Sequence, residues 1–242
     1  MKGIERKNCT FWVLGLTFLF VSMTGCTLSP KPILSKGLLS DKRGLPSRLV
    51  FLPPNISVNE LSAGGIAQED PEWSRQAKEA MTRAVLDFFA ENKATAIVSM
   101  PELSPQEQAS VHEHLLLYDV VAAHAYTATR VPAMGWGHKI ENFDYSIGKG
   151  LRFLKEKSSA DAGLFIIGAD YVSTGGRKAM VAMGALLGVG IPIGNANLQV
   201  GIVDLETGTV LWFNNLQALA SRDLRNYEDS RYIIGEMFKD FR

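Results

Sequence analysis

Hydrophobic and polar positions along this 242-residue chain change period several times, and each period predicts an element. The apolar run 48–52, closed by Pro53 and Pro54, predicts a buried first strand, followed by a Gly/Ala-rich loop through Gly64 and Gly65. Asp70, Pro71 and Glu72 combine an N-cap, a proline at the first helical position and an early acid. Behind them Ala77, Met81, Ala84, Val85 and Phe88 recur every three or four residues, so one apolar stripe runs along a helix to about Glu91. A short strand is predicted over 95–99. Ser104, Pro105 and Glu107 spell a capping box, which opens a helix from Pro105 toward Ala128, ended near Val131 and Pro132. A second helical stretch is predicted from Phe143 to Lys157, then the most apolar strand, from Ala162 through Val172. Asn197–Leu205 and Thr209–Leu216 flank the turn Glu206-Thr207-Gly208 and predict a hairpin. An amphipathic helix from Tyr227 to Phe241 closes the chain. This order predicts an α/β fold: a single α/β sandwich domain over 48–242, with a mixed β-sheet flanked by helices.

The N-terminal pattern is of another kind. Lys2, Arg6 and Lys7 precede the apolar stretch Phe11–Val21, and Met23, Thr24, Gly25 and Cys26 follow at once. A basic start, a short apolar run and small residues form the layout of an export signal, and the run falls short of the roughly 20 residues a spanning helix needs. Residues 23–26 resemble the bacterial lipobox, with Met23 where Leu is commonest. The resemblance implies that residues 1–25 are a lipoprotein signal peptide, that Met23, Thr24 and Gly25 are recognised by the peptidase, and that lipid is attached to Cys26. Two or more acyl chains anchor a protein stably where one does not. No Asp follows the cysteine; by the same resemblance this implies an outer-membrane destination facing the periplasm. From residue 26 to 47 the lipidated cysteine is followed by Pro30, Pro32, Gly37, Gly44 and Pro46 without a clear hydrophobic period, which predicts a flexible tether.

Composition narrows the picture. Basic and acidic residues balance at 25 each, which argues against a nucleic-acid partner. The cysteines are two, Cys9 in the signal and Cys26 at the anchor, so the mature chain has no free thiol, as suits an oxidising periplasm.

Four segments carry a family resemblance: 49–54, 160–168, 200–212 with its Asp204 and Thr207-Gly208 turn before Val210-Leu211-Trp212, and the closing helix. Together they resemble the superfamily of periplasmic lipoproteins that includes the curli-secretion lipoprotein CsgG and the amino-terminal domain of TolB. The resemblance implies a non-catalytic role in cell-envelope assembly or secretion, through a homo-oligomer or contacts with other envelope proteins. One stretch departs from it. Residues 179–194 are apolar and glycine-rich, with Pro192 inside, and are preceded by Gly175, Gly176, Arg177 and Lys178. They suit a membrane-touching or subunit-packing segment, since small residues permit close backbone approach; their length favours a buried helix or loop of the domain.

Candidate chemistry is sparse. His112, His114, His124 and His138 all fall within 112–138, which raises the alternative of a periplasmic ligand- or metal-binding module. On a helix His112 and His114 point about 200° apart, and zinc needs three or four convergent ligands, so no metal is expected. No phosphate-loop pattern or Gly-x-Ser-x-Gly elbow occurs, so neither a cofactor nor a catalytic residue is expected. Asp170 and Tyr171, at the end of the central strand, lie where α/β sheets often bind ligands, and Trp136 between Gly135 and Gly137 suits a partner contact.

Overall fold

The computed structural model describes residues 31–40, 44–219 and 222–241. They form a mixed α/β fold in which an open eight-stranded sheet is flanked by helices on both faces. Two short elements come first, β1 (Ile33–Leu34) and α1 (Lys36–Ser40). The sheet then builds from β2 (Arg48–Phe51), β3 (Asn55–Leu61), β4 (Ala67–Glu69) and β5 (Ala96–Val98), with α2 (Pro71–Glu91) and α3 (Pro105–Arg130) between and after the last two. Further on come α4 (Gly137–Glu141), α5 (Arg152–Ser158), β6 (Ala162–Ser173), α6 (Gly175–Leu186), β7 (Asn195–Asp204), β8 (Val210–Leu219) and α7 (Tyr227–Phe238).

The 12-residue β6 is the axis of the sheet. On one side β7 runs antiparallel to it, followed by β8 and then β1. On the other side two strands share its length, both parallel: β2 pairs with Ala162–Leu164 and β3 with Ile167–Ser173. Pro53 and Pro54 separate those strands because proline cannot donate to a ladder. β5 lines β2 and β4 lines β3. Gly208, at φ 73°, supplies the left-handed residue of the β7–β8 turn.

Alternation along β6 divides the core in two. Leu164 and Ile166 face α2 and α7, while Phe165 and Ile167 face α3. On the first face Trp212 stacks on Phe238 with ring centroids 5.3 Å apart, and Phe89 meets Phe238 edge-on. On the second Tyr118 packs against Phe165 at 4.8 Å. Each fully buried side chain of this size contributes about 1.5–3 kcal/mol relative to exposure. Both long helices start as their sequences require. Asp70 Oδ1 accepts from Trp73 N–H at 2.9 Å, and Ser104 and Glu107 complete the capping box. Lys157 and the Ser104 N–H hold the Glu107 carboxyl below its ordinary range.

Three departures from the sequence reading have physical causes. The loop expected after Pro54 contains β3 and β4: Ile56, Val58 and Leu61 are buried, but the polar residues alternating with them hide the strand. The helix expected over 143–157 is limited to α5. Phe143, Tyr145 and Ile147 instead alternate into the α3-side core as an extended segment, held by Val210 N–H to the Tyr145 carbonyl and Ile147 N–H to the Gly208 carbonyl, both at 2.9 Å. Within the stretch read as a tether, Ile33 and Leu34 pair with Phe213 and Trp212 of β8.

Candidate functional site

The anchor residues Met23, Thr24, Gly25 and Cys26 lie outside the described residues. Asp170 and Tyr171 are neighbours on β6, and strand alternation sends them to opposite faces. Asp170 is 2% exposed and accepts from Leu224 N–H at 3.2 Å, so it ties the segment before α7 to the sheet. Burial pushes its carboxyl above the ordinary range. Tyr171 is partly exposed, so the two do not form one site.

The histidines are also divided. His112 is exposed, and His114 Nδ1 donates to the Ser110 carbonyl at 2.7 Å one turn earlier on α3. His124 lies 2.9 Å from Tyr145 Oη through Nδ1, and its ring packs on Trp136 at 4.9 Å. His138 stacks on Trp136 from the α4 side at 6.0 Å. Trp136 is 60% exposed and lies between His124 of α3 and His138 of α4, while His124 carries the contact on to Tyr145. Among the described residues no group of three or more His, Cys, Asp or Glu is placed to hold a metal ion.

The segment 179–194 forms an arm outside the core. Thr174 caps α6 by accepting from Arg177 N–H at 3.1 Å, and after Leu187 the chain doubles back, with Val189 N–H donating to the Gly184 carbonyl at 2.8 Å. Three hydrogen bonds pin the returning limb: the buried Arg177 guanidinium donates to the Pro192 carbonyl from Nε and Nη2, at 3.2 and 2.8 Å, and the Ser173 hydroxyl donates to the Ile193 carbonyl. Burial of this segment, favoured by its length, is not what the fold produces. Met180, Met183, Leu186, Leu187, Val189 and Ile193 are all exposed, Leu186 at 81%. No helix among the described residues is long and apolar enough to cross a membrane.

A second feature escapes sequence reading. On the α3 side of the sheet the apolar layer gives way to amides: register aligns Asn55, Ile167, Gln199 and Asn215 in one row and Ser57, Ala169, Asn197 and Gln217 in the next. Between these rows and Asp119 and Ala123 of α3 lies a cleft of about 450 Å³. The available signal was alternation of Asn, Gln and Ser with buried aliphatics in β3 and β7, which marks a polar sheet face without showing what covers it.

Comparison with protein-family models gives no match, and comparison with curated protein sequences gives none either. Among solved structures the chain is similar to the PelC dodecamer from Paraburkholderia phytofirmans, with 10% identity, 86% of this chain and 94% of that chain covered, and a TM-score of 0.32. A variant dodecamer of that protein gives 7% identity, 87% and 98% coverage, and a TM-score of 0.33. Similarity at this level carries no argument about what this chain does.

Proposed function

We propose that the protein is a lipid-anchored, periplasm-facing protein of the outer membrane that acts in envelope assembly or secretion by protein association, without catalysis. The 179–194 arm carries the reading: large apolar side chains stand exposed on a stretch with no charged residue. Contiguous exposed apolar surface marks an interaction site, and methionines adapt to a partner's relief. Helices that lie in a membrane interface carry a polar face rich in Lys and Arg, whereas α6 has a single exposed cation, Lys178, so a protein partner suits this surface better than lipid. The favoured partner is a second copy of the chain, through arm-to-arm or arm-to-domain packing. The lipobox-like residues 23–26 and the resemblance to the CsgG and TolB amino-terminal superfamily support the address and the role.

The test is the size of the purified full chain in detergent, measured by light scattering. Oligomers are expected for the native chain and monomers for Met183→Glu combined with Leu186→Glu, both exposed positions whose charge leaves the core intact. A monomeric native chain that captures no envelope protein refutes the reading. Labelled palmitate incorporated by the native chain and lost in Cys26→Ser tests the anchor separately.

A further inference from the structure

The amide rows on the α3 face are unequally satisfied. At the β8 end Arg130 Nε donates to Asn215 Oδ1 at 2.9 Å, and Gln217 Nε2 donates to Tyr126 Oη at 2.9 Å. On β7, Asn197 Oδ1 and Gln199 Oε1 are buried and accept no hydrogen bond, although Gln199 is only 8% exposed. Both residues line the 450 Å³ cleft with Asn55, Ser57 and Asp119. An unpaired buried amide oxygen carries the full cost of its lost hydration, whereas an aliphatic side chain of the same shape carries no such cost. Two such groups on adjacent inward positions of the best-paired part of the sheet work against folding, and buried unsatisfied groups in a native protein call for a reason.

We propose that this cleft binds an uncharged, polyhydroxylated small molecule of the sugar class. The chemistry of the lining selects it. Carboxamides donate and accept, as hydroxyls do, so a polyol pairs with the amide groups of the lining. Among the described residues Asp119 is the one ionisable member of the lining and no Lys, Arg or His belongs to it, so phosphates and carboxylates are disfavoured. Ala169 and Ala123 keep the floor and rim low enough for a flat ring, and the volume lies within the range of small-molecule sites. A single carboxylate makes a poor cation site, since calcium takes six to eight oxygen ligands, usually with several carboxylates.

The experiment is saturation-transfer NMR on the full chain in detergent, with glucose, galactose, N-acetylglucosamine and trehalose as probes, and glucose 6-phosphate and calcium as controls. At least one neutral sugar is expected to give a saturable signal, weakened tenfold or more in Gln199→Leu while that variant melts no lower than the native chain. Ala123→Phe gives a second reading: the position is exposed on α3 at the cleft rim, so the variant blocks entry without altering the core, and loss of the sugar signal with unchanged melting supports the site. The proposal fails if no neutral sugar binds, if binding persists in Ala123→Phe, or if glucose 6-phosphate or calcium binds in preference. A cleft that holds water alone gives the first of these results.

Discussion

The hydroxyl of Tyr118 on α3 lies directly over the Cα of Gly201 on β7: a Cβ at position 201 would stand 2.6 Å from Tyr118 Cζ and closer still to its oxygen. The long helix therefore sits against bare backbone here, and the tyrosine ring lies flat enough to reach Phe165. The hydroxyl is buried and has no hydrogen-bond partner, and burial pushes its pKa up. Gly201→Ala is expected to destabilise the domain by about 1–3 kcal/mol through overpacking. Tyr118→Phe, which removes an unsatisfied group and keeps the ring, is expected to leave stability unchanged or raise it. Urea unfolding of both variants checks the pair; a destabilised Tyr118→Phe would mean that the hydroxyl has a partner.

Asp170 gives a pH dependence of definite sign. Its folded pKa is raised from the ordinary 3.8, first by burial and then by Asp223, while Leu224 N–H and Arg225 pull the other way. Between the ordinary value and the raised one the folded chain holds a proton that the unfolded chain has released, so this group's contribution to stability falls as pH rises through that window. Asp170→Asn keeps an acceptor for Leu224 N–H. It is expected to be more stable than the native chain at pH 7, with the advantage shrinking as pH falls toward 3.8. Thermal melts of both proteins from pH 4 to 7 check it, and a difference that does not change with pH counts against the assignment.

Ser74 on α2 closes the free edge of β3. Its hydroxyl accepts from Val58 N–H and donates to Glu69 Oε1, both at 2.9 Å, and the residue is 2% exposed. Ser74→Ala strands the Val58 N–H and is expected to cost about 1–3 kcal/mol. Hydrogen exchange at Val58 should accelerate more than exchange at β7, which separates local release of the edge from general loosening.

The arm depends on Arg177. Its guanidinium links α6 to the returning limb through Pro192, and charge-assisted hydrogen bonds of this kind are worth about 1.5–3 kcal/mol. Arg177→Leu is expected to speed hydrogen exchange over 187–194 while leaving the melting of the sheet nearly unchanged, because α6 packs mainly outside the core. If the arm is the association surface, the same variant weakens self-association in light scattering.

Local rules determined much of the chain on their own. Asp70-Pro71 and Ser104-Pro105 with Glu107 mark helix starts whose hydrogen bonds are closed within three residues, so the starts of α2 and α3 were legible without any tertiary knowledge. The apolar run of β6 and the Glu206-Thr207-Gly208 turn were legible for the same reason, since a fully buried strand and a tight turn leave their own compositional signatures. Only the tertiary structure decided the rest. β3 is recognised once β6 offers seven residues of pairing to a sequence whose polar half looks like a loop. Phe143, Tyr145 and Ile147 count at two residues once α3 and β8 form the wall they face. Asp170 and Tyr171 were separated by the pleat, and the amides of β3, β7 and β8, distant in sequence, became one surface only through strand register. A hydrogen bond closed within one turn is written in adjacent residues; an unpaired amide acquires meaning only from what the fold places, or fails to place, opposite it.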